Sequence, residues 1–166
     1  QNLLENIALN QFVNIKPIHT ALGDRDGKVN FSDLRSDTMN FIQDDNSEGS
    51  KVPITRLDNL EIKDGQISLI KIDVEGYEKF VLSGGKNIMK RTLCVYFEAL
   101  EKLYNKYDYS CKDIFKLLKD NGFKIFRLVN KSIFPIENDS AIEEPNLLAI
   151  RDVDDFLQRT NFRIKN

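Results

Sequence analysis

The stretch from Leu69 to Gly85, LIKIDVEGYEKFVLSGG, constrains the fold more than any other part of the sequence. It opens as an apolar strand interrupted only by Lys71, and after Gly76 its apolar residues recur at helical spacing. A strand that passes directly into a helix is typical of a β-α-β unit. Two carboxylates, Asp73 and Glu75, lie at the junction. The sequence therefore predicts acidic side chains at the carboxyl end of a strand.

The order of elements after residue 66 predicts an α/β fold. Strands and helices alternate as strand, helix, strand, helix, strand, strand, which is typical of a mainly parallel sheet covered on both faces. The last two strands, KIFRLV and NLLAIR, are joined without a helix, so we expect an antiparallel pair at one end of the sheet. Ligands of such sheets bind beyond the carboxyl ends of the strands. Asp73 and Glu98 each end a strand, and we expect both to face that rim.

The segment before residue 66 is less regular. The opening, QNLLENIALN, places its apolar residues on one helical face and is typical of the last turns of a helix. The Asp26-Gly27 pair favours a tight hairpin turn before KVNF. Residues 35–51 mix acidic, Ser, Asn and Gly residues with few apolar ones, which predicts a loop or flap.

One helix has clear boundary signals. Ser110 and Asp113 have the spacing of a capping box, in which each side chain binds the other residue's backbone amide. Asn121 and Gly122 supply a C-terminal stop. The sequence therefore predicts a helix between these two pairs.

Size and composition limit the function classes. The chain has 166 residues, 41% hydrophobic and 30% charged, which suits one folded domain over residues 1–166. A net charge of -2 gives no positive field for a phosphate backbone, so no nucleic-acid partner is expected. No apolar run reaches membrane-spanning length and the N-terminus lacks signal-peptide features, so we expect a cytoplasmic protein without a membrane partner. Cys94 and Cys111 match neither a zinc spacing nor a disulfide framework.

The rim carboxylates each have a structural alternative to a chemical role. Asp73 suits a cationic ligand, or it pairs with Lys71 on the same strand face. Glu75 suits a ligand, or it stabilises the start of the following helix.

His19 is the only histidine and has no nearby acid to orient it, so we assign it a structural or surface role. Tyr104 belongs to a tyrosine-rich loop that either stacks on substrate or packs against its helix.

Five blocks together resemble the FkbM-type methyltransferases in order and spacing. They are LLENIALN, IHTALGDRDGKVNF, ITRLDNL, LIKIDVEGYEKFVLSGG and VYFE. The Lys-Ile-Asp-Val-Glu-Gly block is the most specific of them. The resemblance implies a Rossmann-like, S-adenosylmethionine-dependent methyltransferase fold with a seven-stranded sheet. In that sheet a final antiparallel strand lies beside the strand that carries VYFE.

The resemblance also implies roles for individual residues. Ala21 and Leu22 would lie beside the adenine, and Asp73 would lie near the transferred methyl group. Glu75 and Glu98 would border the same mouth, with Glu75 and Tyr104 on the substrate side. Asp73 is the first choice and Glu98 the second for positioning the acceptor hydroxyl or taking its proton. The expected reaction is O-methylation of a small molecule or sugar hydroxyl.

Two parts of such an enzyme are not found in the sequence. They are a first strand that ends in a glycine-rich turn and a second strand that ends in an acidic residue. By the family pattern both precede Gln1, so this chain is expected to be the C-terminal part of a methyltransferase domain. Alternatively the fold has rearranged, or another chain fills the gap, as in a homo-oligomer.

Two further functions stay open at this point. The domain is a degenerate interaction module without activity, or it is a metal-dependent hydrolase in which rim carboxylates hold a divalent ion through oxygen ligands. Nothing in the spacing of the carboxylates requires a metal, and none is expected.

Overall fold

A computed structural model describes residues 2–33, 40–44, 46–136 and 146–165. Its helices are α1 (Asn2–Leu9), α2 (Glu78–Ser83), α3 (Lys86–Lys90), α4 (Glu101–Tyr104), α5 (Cys111–Asp120) and α6 (Val153–Arg159). Its strands are β1 (Ala21–Gly23), β2 (Gly27–Phe31), β3 (Ile42–Gln43), β4 (Ser50–Arg56), β5 (Ile67–Ile72), β6 (Thr92–Glu98), β7 (Lys124–Val129), β8 (Ser132–Pro135), β9 (Asn146–Ile150) and β10 (Arg163–Ile164). Short 3-10 turns cover Leu57–Asn59 and Asn105–Tyr107.

The larger sheet has six strands in the order β10-β8-β7-β9-β6-β5. Strand β9 lies antiparallel between β6 and β7, which confirms the antiparallel pairing and the strand beside VYFE. The pair does not lie at the end of the sheet as predicted, because β8 and β10 extend the sheet beyond β7. The prediction of a mainly parallel sheet is wrong, because only two of the pairings described in the larger sheet, β5–β6 and β8–β10, are parallel. The sheet is mixed because β9 returns against both neighbours and β8 follows β7 through a tight turn.

Strand β5 is less buried than its sequence predicts. It pairs only with β6 among the described strands, and Leu69 on one of its faces is 55% exposed. Ile72 on the opposite face is buried in the main core. One face of β5 is therefore uncovered by the described residues, which corrects the expectation of a strand buried on both sides.

The smaller sheet has the order β1-β4-β2-β3. Strand β4 is parallel to β1 and antiparallel to β2, so β1 and β2 do not form the predicted hairpin. The Asp26 carboxylate instead accepts hydrogen bonds from Thr55 at 2.6 Å and Asn59 at 2.8 Å. These bonds connect the turn at Asp26 to β4 and to the 3-10 turn that follows β4. The predicted loop at 35–51 contains β3 and the start of β4; its residues 35–39 and 45 lie outside the described residues.

The glycine pair after α2 joins the two sheets. Gly84 and Gly85 separate two helices, α2 and α3. A Cβ atom on Gly84 would lie 1.9 Å from the carbonyl oxygen of Gly23 in β1. Only a residue without a side chain permits this approach. Strands β1 and β5 lie in different sheets.

The main core lies between the larger sheet and helices α2 and α5. Helix α5 begins with the predicted capping box of Ser110 and Asp113. It buries Ile114, Phe115 and Leu118 against the sheet. Helix α1 forms as predicted, but its leucines stay exposed. Within the described part of the chain, no helix is long and apolar enough to cross a membrane.

Candidate functional site

A cavity of about 670 Å³ lies between β1 and the turn that follows β5. It brings together four predicted site residues from two distant parts of the chain, Ala21, Leu22, Asp73 and Glu75. Its other lining residues are Thr20, Phe31, Asn40, Ile42, Val74 and Tyr77. The cavity is apolar at β1 and acidic at the turn, so it suits a ligand with one apolar part and one cationic part.

Asp73 forms the predicted pair with Lys71 and also lines the cavity. Its carboxylate accepts a hydrogen bond from Lys71 at 2.5 Å, and the two side chains are 51% and 55% exposed. The hydrogen bond to Asp73 raises the pKa of Lys71. Asp73 also lines the cavity. The lysine therefore orients the carboxylate at the cavity edge without burying it.

The turn after Asp73 has an unusual backbone. Glu75 has φ of 53° and Gly76 has φ of 97°. A left-handed conformation at a residue with a side chain costs about 1–2 kcal/mol, and such residues are concentrated at functional sites. Helix α2 begins only at Glu78, so Glu75 does not stabilise its first turn as its sequence position predicts.

Glu78 is a residue of this site that the sequence analysis missed. Its side chain is completely buried, and Oε1 accepts a hydrogen bond from the Val74 amide at 3.2 Å. Oε2 has no hydrogen-bond partner among the described residues. Burial raises the pKa of Glu78. A glutamate in the first turn of a helix is usually exposed, so its sequence position gave no sign of this burial.

Three contacts hold the strained turn in place. Glu78 binds the Val74 amide, and the Tyr109 hydroxyl donates to the Gly76 carbonyl. A Cβ on Gly76 would lie 2.5 Å from the Leu103 carbonyl oxygen, so α4 packs directly on the turn. These contacts with Glu78, Tyr109 and α4 therefore fix the backbone that carries Asp73 and Glu75.

Glu98 ends β6 and is not among the residues that line the cavity. Its Oε2 is buried and has no hydrogen-bond partner among the described residues. Burial raises the pKa of Glu98, and the charges of Glu75 and Asp73 raise it further. A carboxylate with a raised pKa is a better proton acceptor. Within the described ranges, no three His, Cys, Asp or Glu side chains are arranged to hold a metal ion.

The tyrosine loop packs under the rim. Tyr104 has no exposed surface, stacks on Tyr109 at 4.7 Å between ring centroids, and donates its hydroxyl to the Glu98 carbonyl. Tyr107 donates to the Ile42 carbonyl in β3 at 2.7 Å. This placement favours the packing alternative for Tyr104, whose predicted contact with substrate has no open path.

A second cavity of about 490 Å³ adjoins the first and shares Ile42 and Tyr77 with it. It lies between the segment around β3 and the tyrosine loop. Its other lining residues are Arg25, Phe41, Gln43, Asp44, Ser47, Phe80, Lys106, Tyr107 and Asp108. The Lys106 amine lies 4.0 Å from the Phe41 ring centroid, and burial lowers its pKa.

The remaining candidates lie away from both cavities. His19 is exposed, which agrees with a surface role. Burial raises the pKa of both Cys94 and Cys111 to about 12, so neither thiol is a ready nucleophile. A further cavity of about 990 Å³ lies near α6 and is lined by none of the predicted site residues.

The sequence matches a known family over most of its length. Residues 1–125 match the model of the methyltransferase FkbM domain. The fold is similar to the crystal structure of the methyltransferase FkbM from Methylobacillus flagellatus KT, with a TM-score of 0.50 and 15% identity. That similarity covers 90% of this chain and 32% of the other, so this chain spans about a third of that protein. No curated protein sequence matches the chain.

Proposed function

We propose that this chain, which belongs to the FkbM methyltransferase domain family, takes part in S-adenosylmethionine-dependent methylation of a hydroxyl group on a small molecule or sugar. One observation carries the proposal: a single cavity joins Ala21 and Leu22 of β1 to Asp73 and Glu75 after β5. The proposal extends to the fold. The order β5-β6-β9-β7 supports the carboxyl-terminal part of a seven-stranded methyltransferase sheet, with its first two strands outside this chain.

The lining of the first cavity fits part of this cofactor. Its volume lies within the range of about 300–1,000 Å³ that is common for ligand sites. Ala21 and Leu22 offer an apolar surface for the adenine, and Asp73 and Glu75 offer negative charge for the sulfonium. The described residues contain no glycine-rich turn after a strand, so they supply one side of the cofactor site only.

Methyl transfer to a hydroxyl needs a proton acceptor. S-adenosylmethionine supplies a methyl group on a sulfonium; its transfer forms a C–O bond, breaks a C–S bond and releases the hydroxyl proton. Asp73 faces the cavity and is held by Lys71, so it can orient the hydroxyl and accept this proton. Glu98 is the alternative acceptor because its pKa is raised.

The first test measures cofactor affinity. In the complete protein, Asp73→Ala should weaken S-adenosylmethionine binding about tenfold, or about 1.4 kcal/mol, because a half-exposed carboxylate near a sulfonium is lost. That size lies between the roughly 1 and 4 kcal/mol expected for a charge pair in water and near a protein surface. S-adenosylhomocysteine has a neutral sulfur, so its affinity should change little. Isothermal titration calorimetry measures both.

The controls separate the proposed roles. Asp120 pairs with Lys116 at 2.6 Å outside both cavities, so Asp120→Ala is a matched variant that should bind both ligands normally. Asp73→Ala should also abolish turnover without unfolding the protein. Equal loss of affinity for both ligands would rule out the charge role. Activity that survives Asp73→Ala but not Glu98→Gln would assign the proton acceptor to Glu98.

A non-catalytic interaction module is the competing function. It predicts no heat of binding for S-adenosylmethionine with the complete protein, even at millimolar ligand. A carboxylate-based hydrolase lacks support, because the described carboxylates form no cluster suited to a metal.

A further inference from the structure

We infer that the second cavity binds the methyl acceptor and that the acceptor presents a neutral, polyhydroxylated ring of the sugar type. This inference rests on the proposed methyltransferase function and assigns its substrate side. Three properties of the cavity carry it: its position beside the first cavity, its aromatic wall and its balance of charges.

The two cavities share a wall. Ile42 and Tyr77 line both of them. The wall is held in place because Tyr107 donates a hydrogen bond to the Ile42 carbonyl at 2.7 Å. Ligands in the two cavities would therefore lie against the same two side chains, so the second cavity is positioned next to the proposed cofactor site.

Aromatic rings form much of the second cavity. Tyr77 and Phe80 stack at 4.4 Å between ring centroids, and Tyr107 meets them edge-on at 5.3 and 6.0 Å. Tyr77 is 4% exposed, so the partly exposed rings of Phe80 and Tyr107 supply most of the ring surface open to a ligand. Such rings are rigid and lose few conformations on binding. Sugar rings have apolar C–H faces that can pack on such a surface while their hydroxyl groups point outward.

The polar groups of the cavity are balanced in charge. Arg25 and Lys106 are positive, and Asp44 and Asp108 are negative. Within the described part of the chain, the side chains of Arg25, Asp44 and Asp108 form no hydrogen bond or ion pair. An anionic ligand would meet two carboxylates and a cationic ligand two cations. A neutral hydroxyl both donates and accepts, so it can use groups of either sign.

The test is binding of three model sugars to the complete protein by saturation-transfer NMR and titration. The probes are methyl β-D-glucopyranoside, the corresponding glucuronide and the corresponding 2-amino sugar. We expect the neutral glycoside to bind more tightly than either charged probe. No saturation transfer to the neutral glycoside, or tighter binding of a charged one by wild type, would overturn the inference.

Two variants locate the binding site. Asp108→Asn should weaken binding of the neutral glycoside about fivefold, because a hydrogen bond to a charged carboxylate becomes one to a neutral amide. Asparagine tolerates the left-handed backbone of Asp108 at φ of 55°. Asp44→Asn combined with Asp108→Asn should leave the site positive and reverse the preference toward the glucuronide. Asp120→Asn is the control. Unchanged sugar preference in the double variant would place the sugar elsewhere and contradict the inference.

Cofactor binding distinguishes this inference from the proposed function. S-adenosylmethionine binding by calorimetry should be unchanged in both variants, because neither residue lines the first cavity. Normal cofactor binding without glycoside binding would refute only the acceptor assignment. Glycoside binding without cofactor binding would refute the proposed function and, with it, the acceptor role of the cavity.

Discussion

Arg151 should contribute more to stability than any exposed charged residue of the chain. Its guanidinium donates to the carbonyl oxygens of Met89 at 2.6 Å, Asn121 at 2.7 Å and Thr92 at 3.0 Å. It also lies 4.3 Å from the ring centroid of Phe123. Burial lowers its pKa. One side chain thus ties together the ends of α3 and α5 and the start of β6.

The size of the effect follows from these contacts. A hydrogen bond from a charged donor contributes about 1.5–3 kcal/mol, and a cation over an aromatic ring adds about 0.5–1 kcal/mol when exposed. Arg151 is partly exposed and water can replace some of its bonds, so we take the lower values. Arg151→Ala should then lower the free energy of unfolding by about 5 kcal/mol, and Tm by roughly 10–20 °C.

Urea unfolding followed by circular dichroism measures this loss. The matched control is Arg159→Ala: Arg159 pairs with Asp155 four residues earlier at 2.7 Å and is 50% exposed, so its removal should cost about 0.3–0.5 kcal/mol. Arg151→Lys should recover only part of the loss, because one ammonium cannot reach three carbonyls. If Arg151→Ala costs no more than Arg159→Ala, or if lysine restores full stability, the three-carbonyl contact is not what stabilises this corner.

Two other substitutions test features near the site. Burial holds the pKa of Glu78 above the ordinary 4.5, so its stability contribution is complete below that value and is lost as pH rises through the raised pKa. Glu78→Gln should therefore flatten the decline in unfolding free energy between pH 4 and 8. Part of the decline should remain, because the pKa of Glu98 is raised as well. Equal slopes of unfolding free energy against pH in wild type and variant would show that Glu78 is not a buried acid with a raised pKa. Gly84→Ala places a Cβ 1.9 Å from the Gly23 carbonyl, so it should cost about 2–3 kcal/mol and weaken S-adenosylmethionine binding through β1. Lys86→Ala on the exposed side of α3 is its control, and equal melting temperatures would refute the contact.

The local signals in the sequence were reliable. The change of period after Asp73 predicted the end of β5, and the spacing of Ser110 and Asp113 predicted the start of α5. These features depend on residues within one or two turns of each other, so their physical causes are visible in a short stretch. Asp73 could be placed at the rim for the same reason, since it directly follows the end of β5.

Pairing partners could not be predicted in the same way. Strand β4 lies between β1 and β2, although nothing in the residues around Asp26 and Gly27 excludes a direct hairpin. Register is chosen by contacts distant in sequence, and the same residue types suit parallel and antiparallel neighbours. The burial of Glu78 had the same origin, because only the folded arrangement places α4 and the tyrosine loop around it.

Strand β9 has a practical consequence for where this domain can be cut. Four of its five residues, Leu147 to Ile150, are buried, and it is hydrogen-bonded to β6 on one side and β7 on the other. The family match stops at residue 125, before this strand. A truncation at that point would remove an interior strand of the larger sheet and expose the edge of β6. The unpaired backbone groups of that edge could then pair with another chain, which promotes aggregation. The segment that matches the family is thus shorter than the segment needed to complete the larger sheet.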